Sequence, residues 1–169
     1  MEKIHYDDLK DAYNLSLDNF EKYETEIRNI IGKLRSLLIK SLNCDPNKII
    51  WVKYAEIDEE VENEEYLKNN YKEIPTDRKI IILNSGYCKF CFRILFETRG
   101  IDINFKIKIW QGKIIFTIGE ESHQLSKGND EEFLQFVQLV IAGTNNYINN
   151  LYLSFINDNQ KPSIGFSIK

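Results

Sequence analysis

Between Gly86 and Gly119 apolar and polar residues alternate with a period of two through three runs, interrupted at Arg99-Gly100 and at Gln111-Gly112. That period predicts three antiparallel strands, each with one buried and one outward side. Cys88, Phe90, Phe92, Ile94 and Phe96 share the apolar side of the first run; Ile101, Ile103, Phe105, Ile107 and Ile109 that of the second; Ile114, Phe116 and Ile118 that of the third. Two-residue turns at both interruptions give a register in which Phe96 faces Ile103, Ile94 faces Phe105, Phe92 faces Ile107, Ile109 faces Ile114 and Ile107 faces Phe116. In each turn a glycine stands where positive φ is wanted.

A period near 3.6 dominates both ends of the chain. From about Asp7 to Leu42, Leu9, Tyr13, Leu17, Phe20, Ile27, Ile31, Leu34 and Leu38 form one stripe, widened by Ile30 and Leu37. This predicts a long helix with Asp7 as N-cap, a stop at Asn43 to Pro46, and a break, if any, at Ser16 to Asn19. Its stripe is expected to pack on the sheet; its a/d pattern is not strict enough to read as a coiled coil outright. A second helix is expected over about 130–157, capped by Asn129 or Asp130, with Phe133, Phe136, Val137, Val140, Ile141, Tyr147, Ile148, Leu151 and Phe155 as its stripe and Gly143 and Asn145-Asn146 as interruptions. Lys48 to Ala55 and Arg78 to Leu83 read as strands, the latter buried on both faces. Residues 120–128 read as a polar connection, and residues 163–168 as an added edge strand. Residues 56–70 form an acidic insert, expected as a solvated helix or loop.

The fold class that follows is α+β: a mostly antiparallel sheet of four to six strands, over about 48–119, flanked on one face by long N- and C-terminal helices, in a single domain spanning 1–169. No apolar run reaches membrane-spanning length and the charged N-terminus lacks a signal-peptide core, so a soluble, cytoplasmic protein with no membrane partner is expected. Three cysteines fit a reducing compartment.

Charge changes the picture of the sheet. Residues 86–118 hold six Lys or Arg against two acids, a balance of +4, while the rest holds 16 against 24, or −8, within a total of −4. The outward side of the strands collects this positive charge: Tyr87, Lys89, Cys91, Arg93, Lys106, Lys108, Trp110 and Lys113. In the expected register Arg93 lies opposite Lys106, Cys91 opposite Lys108 and Lys89 opposite Trp110. Lysine and arginine neutralise anions, and Tyr87 and Trp110 offer stacking or apolar contact. Tyr87, Lys89, Arg93, Lys106, Lys108, Trp110 and Lys113 are therefore the candidate binding residues, for an acidic protein or a nucleic acid; the alternative is a face that is merely solvated, or covered by the acidic segment Glu56 to Glu65. The RNP signature of sheet-surface RNA binders is absent.

Other chemistry finds little footing. Cys88 and Cys91 make a CxxC, but with no second ligand pair, and on a strand they point to opposite faces. Glu97 and Asp102 face each other near a turn, where a solvated pair is the commoner outcome. His5 and His123 lie in polar termini or loops and read as surface residues. There is no GxSxG, HExxH, Walker A or GxGxxG, so no cofactor, metal or catalytic residue is implied. The expected function is a small non-enzymatic binding module using the basic, aromatic sheet face. The alternatives are an oligomerising protein that forms a homodimer through its N-terminal helix, and an enzyme of unrecognised type.

Overall fold

The 3.6-period stripe at the N-terminus folds as one continuous helix, α1 (Tyr6–Leu42), of 37 residues and about 55 Å. A computed structural model describes residues 5–52, 80–83, 85–97, 100–156 and 166–168. The helix starts one residue earlier than expected. His5 is its N-cap, with its backbone N–H donating to the Asp8 carboxylate at 2.8 Å; Asp7 sits in the first turn, where negative charge complements the free N–H groups. Ser16 and Asn19 cost only tenths of a kcal/mol in helix propensity, and the helix runs through them. Asn43, at φ 47 and ψ 46, closes the helix in the left-handed conformation that asparagine tolerates.

Only the second half of the α1 stripe is covered. Ile27, Ile30, Ile31, Leu34 and Leu38 are buried, whereas Leu9, Tyr13, Leu17 and Phe20 are exposed. The expectation that the whole stripe packs on the sheet thus holds from Ile27 onward and fails before it.

The sheet is antiparallel throughout. Its body is β1 (Ile49–Val52), β3 (Cys88–Leu95), β4 (Gly100–Trp110), β5 (Lys113–Ile118) and β6 (Glu121–Ser126), hydrogen-bonded in the order β1-β3-β4-β5-β6. Two short strands complete it: β2 (Ile81–Ile82) beside β3, and β7 (Phe166–Ile168) beside the start of β4. The second helix, α2 (Asp130–Ile156), follows β6 and is continuous across Gly143. Asn129 caps it, its Oδ1 accepting from the N–H groups of Glu131 and Glu132 at 3.1 and 3.2 Å. The architecture is α+β, with N- and C-terminal helices flanking the sheet. Alternate residues of the strands meet both helices in one core built on Phe90, Phe92, Phe105 and Phe116. Phe90 stacks on Phe105 at 4.9 Å, and Phe116 on Phe136 of α2 at 4.6 Å.

The β4–β5 turn is as expected. Gln111 and Gly112 both have positive φ, 50 and 73, and Ile109 faces Ile114 while Ile107 faces Phe116. The β3–β4 register is not. Leu95 pairs with Gly100, so the connection is 96–99, and each β3 residue faces a partner four positions earlier in β4 than a two-residue turn would give. Ile94 faces Ile101, Phe92 faces Ile103, Phe90 faces Phe105, and Phe96 is exposed. A shift of four leaves every residue on its own face, so hydrophobic alternation cannot distinguish the two registers. Electrostatics can. The two-residue turn sets Glu97 against Asp102 and Arg93 against Lys106, two like-charged oppositions, whereas the observed register sets Arg93 against Asp102 and keeps one, Lys89 against Lys106.

Two further corrections concern strands. Residues 121–126 are a strand, not a connection; with only Leu125 buried, this polar edge lacks the apolar alternation that betrays one. Ile81 and Ile82 are partly, not fully, buried. The acidic insert 56–70 lies outside the described residues.

Candidate basic and aromatic interface

The outward side of the sheet divides into two halves of different character. Towards the β3–β4 connection it is closed: Val52, Cys91, Arg93, Asp102 and Asn104 are all buried. Arg93 and Asp102 form a two-pronged ion pair there, Nε donating to Oδ1 at 2.6 Å and Nη2 to Oδ2 at 2.8 Å. The strand pairing dictates this contact, because directly opposed residues on one face of a sheet have touching side chains. Gly100 makes room for it; a Cβ there would stand 2.8 Å from Arg93 Cγ. Arg93 therefore leaves the candidate set.

The other half remains a cluster. Lys89 lies opposite Lys106, not Trp110, and Lys106 neighbours Thr117 on β5. Trp110 lies opposite Lys113 across the tight turn, and both are exposed. Lys108 is the centre of the group. Its Nζ donates to the Ser85 carbonyl at 2.9 Å and lies 5.2 Å from the Tyr87 ring and 5.0 Å from the Trp110 ring. At such distances each ring face attracts the ammonium. The side chain is thus held upright between two aromatics. Lys106 and Lys113 make no hydrogen bond or ion pair among the described residues.

So Tyr87, Lys89, Lys106, Lys108, Trp110 and Lys113 come together, as the alternation of the strands implied, though with different partners. Reading the sequence missed two supports. Tyr23 of α1 donates its hydroxyl proton to the Gly86 carbonyl at 2.6 Å and accepts from the Ile109 N–H at 3.4 Å, fixing the backbone beneath the cluster. Burial raises the Tyr23 hydroxyl above its ordinary pKa, while the Ile109 bond opposes that. The residues following Leu83 close a small turn, with Gly86 N–H bonded to the Leu83 carbonyl and Leu83 N–H to the Tyr87 carbonyl. The run Asn84-Ser85-Gly86 was the local signal of it in the sequence.

The remaining candidate chemistry disperses. Cys88 faces the core and Cys91 the outward side, both buried and free of disulfides; burial pushes the Cys88 thiol up to about 11, which leaves it an inert thiol. Glu97 is exposed and parted from Asp102. His123 sits on β6 opposite Phe116, half-buried and 5.5 Å from the Phe136 ring, and is not the surface loop residue expected. Among the described residues no three His, Cys, Asp or Glu gather as metal ligands, and no helix is long and apolar enough to cross a membrane. An open groove of about 410 Å³ runs along α1, its described lining being Asp18, Glu21, Lys22, Thr25, Glu26 and Asn29.

Fold and cluster together define an α+β chain with one cationic, aromatic end on its sheet. No protein family, curated protein or solved structure matches the chain.

Proposed function

We propose that this protein is a non-enzymatic binding module that takes an acidic protein segment on the Tyr87–Lys108–Trp110 end of its sheet. The observation that carries this reading is Lys108 held between two aromatic rings, beside Lys106 and Lys113 that have no carboxylate partner among the described residues. Trp110, 56% exposed, offers the amphipathic anchor that interface centres favour.

A protein partner fits better than a nucleic acid. Stacking on bases needs open ring faces at successive positions. Here Tyr87 is half-buried, and both rings turn a face to Lys108. The test is fluorescence anisotropy of a labelled glutamate-rich peptide, and of a labelled single-stranded oligonucleotide, at low and high salt. The peptide is expected to bind more tightly, with affinity falling as salt screens the lysines, and the Lys106→Glu/Lys108→Glu variant is expected to lose it. Identical titrations for wild type and variant with both probes would remove the proposal.

A further inference from the structure

Among the described residues the first half of α1 is a second surface without a partner, and its chemistry is the complement of the sheet end. Tyr6, Leu9, Tyr13, Leu17 and Phe20 follow one another at 3-4 spacing and are 79, 60, 64, 44 and 46% exposed. Asp7, Asp11, Asp18 and Glu21, spaced by 4, 7 and 3, form a parallel acidic flank. Residues 6–24 carry six acids against two lysines, a balance of −4. This arm is an apolar, aromatic stripe edged with negative charge; the sheet end is lysine edged with aromatics.

The two surfaces also lie at the same pole of the molecule. α1 crosses the edge of the core where Tyr23 bonds Gly86 and Ile109 and where Glu26 pairs with Lys127. Gly86 and Ile109 adjoin Tyr87, Lys108 and Trp110, and Lys127 follows Ser126, which pairs with Lys113. From Tyr23 the helix continues outward to Tyr6, about 25 Å at 1.5 Å per residue. It does so on the core side of its own sheet, so one continuous helix cannot fold back onto its own outward side.

We infer that the occupant of the basic sheet end is the α1 arm of a second copy of this chain, exchanged reciprocally in a two-fold dimer. The inference rests on the binding-module reading and names its partner. Two-fold symmetry satisfies both surfaces at once, because each copy gives an arm and receives one. The five apolar side chains offer on the order of 500 Å² per arm, taking about 100 Å² for each half-exposed large residue. Two arms and two receiving faces then bury roughly 2,000 Å², the size of a specific interface. Trp110, Tyr87, Ile115 and the lysine stems supply the apolar floor, and the ammonium groups meet the acidic flank. Direct pairing of arm with arm would instead set −4 against −4.

The test is sedimentation equilibrium of the full chain over a range of concentration and salt, with two charge-reversed variants, Lys106→Glu/Lys108→Glu and Asp11→Lys/Asp18→Lys. Wild type is expected to dimerise, more weakly at high salt, and each variant to dimerise at least about tenfold more weakly. An equimolar mixture of the two variants is expected to regain the dimer, since each then offers the other an opposite charge; that recovery also shows both to be folded. A monomer at every concentration overturns the inference. So does a dimer that ignores both reversals and is lost on Leu9→Asp, which marks pairing of arm with arm, and so does a mixture that fails to associate. A monomeric wild type that still binds the glutamate-rich peptide through Lys106 and Lys108 overturns the self-partner alone. Failure of both experiments removes the binding-module reading with it.

Discussion

Replacing Asp102 with alanine tests the sheet register and the closed half of its outward side in one step. Asp102 and Arg93 are 1% and 7% exposed at their side chains and joined by two short hydrogen bonds. With charge centres about 4 Å apart and an effective dielectric constant near 20, their attraction is about 4 kcal/mol. Removing the carboxylate leaves a dry guanidinium short of its countercharge, a change that costs about 3–5 kcal/mol in comparable buried pairs. That is a large part of the 5–15 kcal/mol typical of a folded domain. The assay is urea unfolding followed by circular dichroism, for wild type, Asp102→Ala, and the double variant Arg93→Met/Asp102→Leu. Asp102→Ala is expected to lower the unfolding free energy by about 3–5 kcal/mol, and the double variant to recover most of it, because apolar replacement of both partners removes the desolvation cost as well. The two-residue-turn register makes the opposite forecast: Asp102 would face Glu97, and its removal would relieve repulsion. A stabilised or unchanged Asp102→Ala, or a double variant as damaged as the single, would refute the pairing.

Three smaller perturbations examine the supports. Gly100→Ala drives a Cβ to 2.8 Å from Arg93 Cγ and 3.2 Å from the Ile94 carbonyl, and is expected to destabilise by about 1–3 kcal/mol in the same urea assay. Gln111→Asn places the preferred residue at a position of φ 50 beside Gly112 and is expected to stabilise by a few tenths to about 1 kcal/mol; a loss would mean the turn is of another type. Burial raises the Cys88 thiol from 9.0 to about 11, so the unfolded chain loses this proton first on titrating upward. Stability is fully present below pH 9 and is expected to fall between pH 9 and 11, with Cys88→Ala flattening the decline and Tyr23, raised in the same direction, accounting for part of the remainder.

Much of this fold was legible because periodicity carries it. The faces of β3, β4 and β5 follow from alternation alone, and the ends of α1 and α2 from Asn43 and Asn129. What alternation could not decide was anything that moves by an even number of residues. The β3–β4 register slid by four without exposing one face to the other, and only the opposition of Arg93 and Asp102 distinguishes the outcomes. β6 escaped notice because an edge strand with Leu125 as its one buried residue needs no apolar pattern. The α1 stripe was legible as a stripe, but what covers its first half depends on where the sheet ends, and no local signal encodes that. On the outward side of the sheet, alternation puts Tyr87, Lys89, Lys106, Lys108, Trp110 and Lys113 on one half; Arg93 lies apart because its partner depends on the register. The clamp on Lys108 needed the turn after Leu83, and the support from Tyr23 needed a contact 63 residues away in sequence.

The most direct test of the cationic, aromatic end follows the indole N–H of Trp110 by ¹⁵N-correlated NMR, with Trp51 on the core face as internal reference. The spectrum is recorded while a glutamate-rich peptide is added to dilute protein, and again as the protein itself is concentrated. Trp110 is expected to shift in both series while Trp51 stays still, and to stay still itself in Lys106→Glu/Lys108→Glu. A Trp110 resonance that ignores both peptide and concentration would contradict a binding role for this end of the sheet.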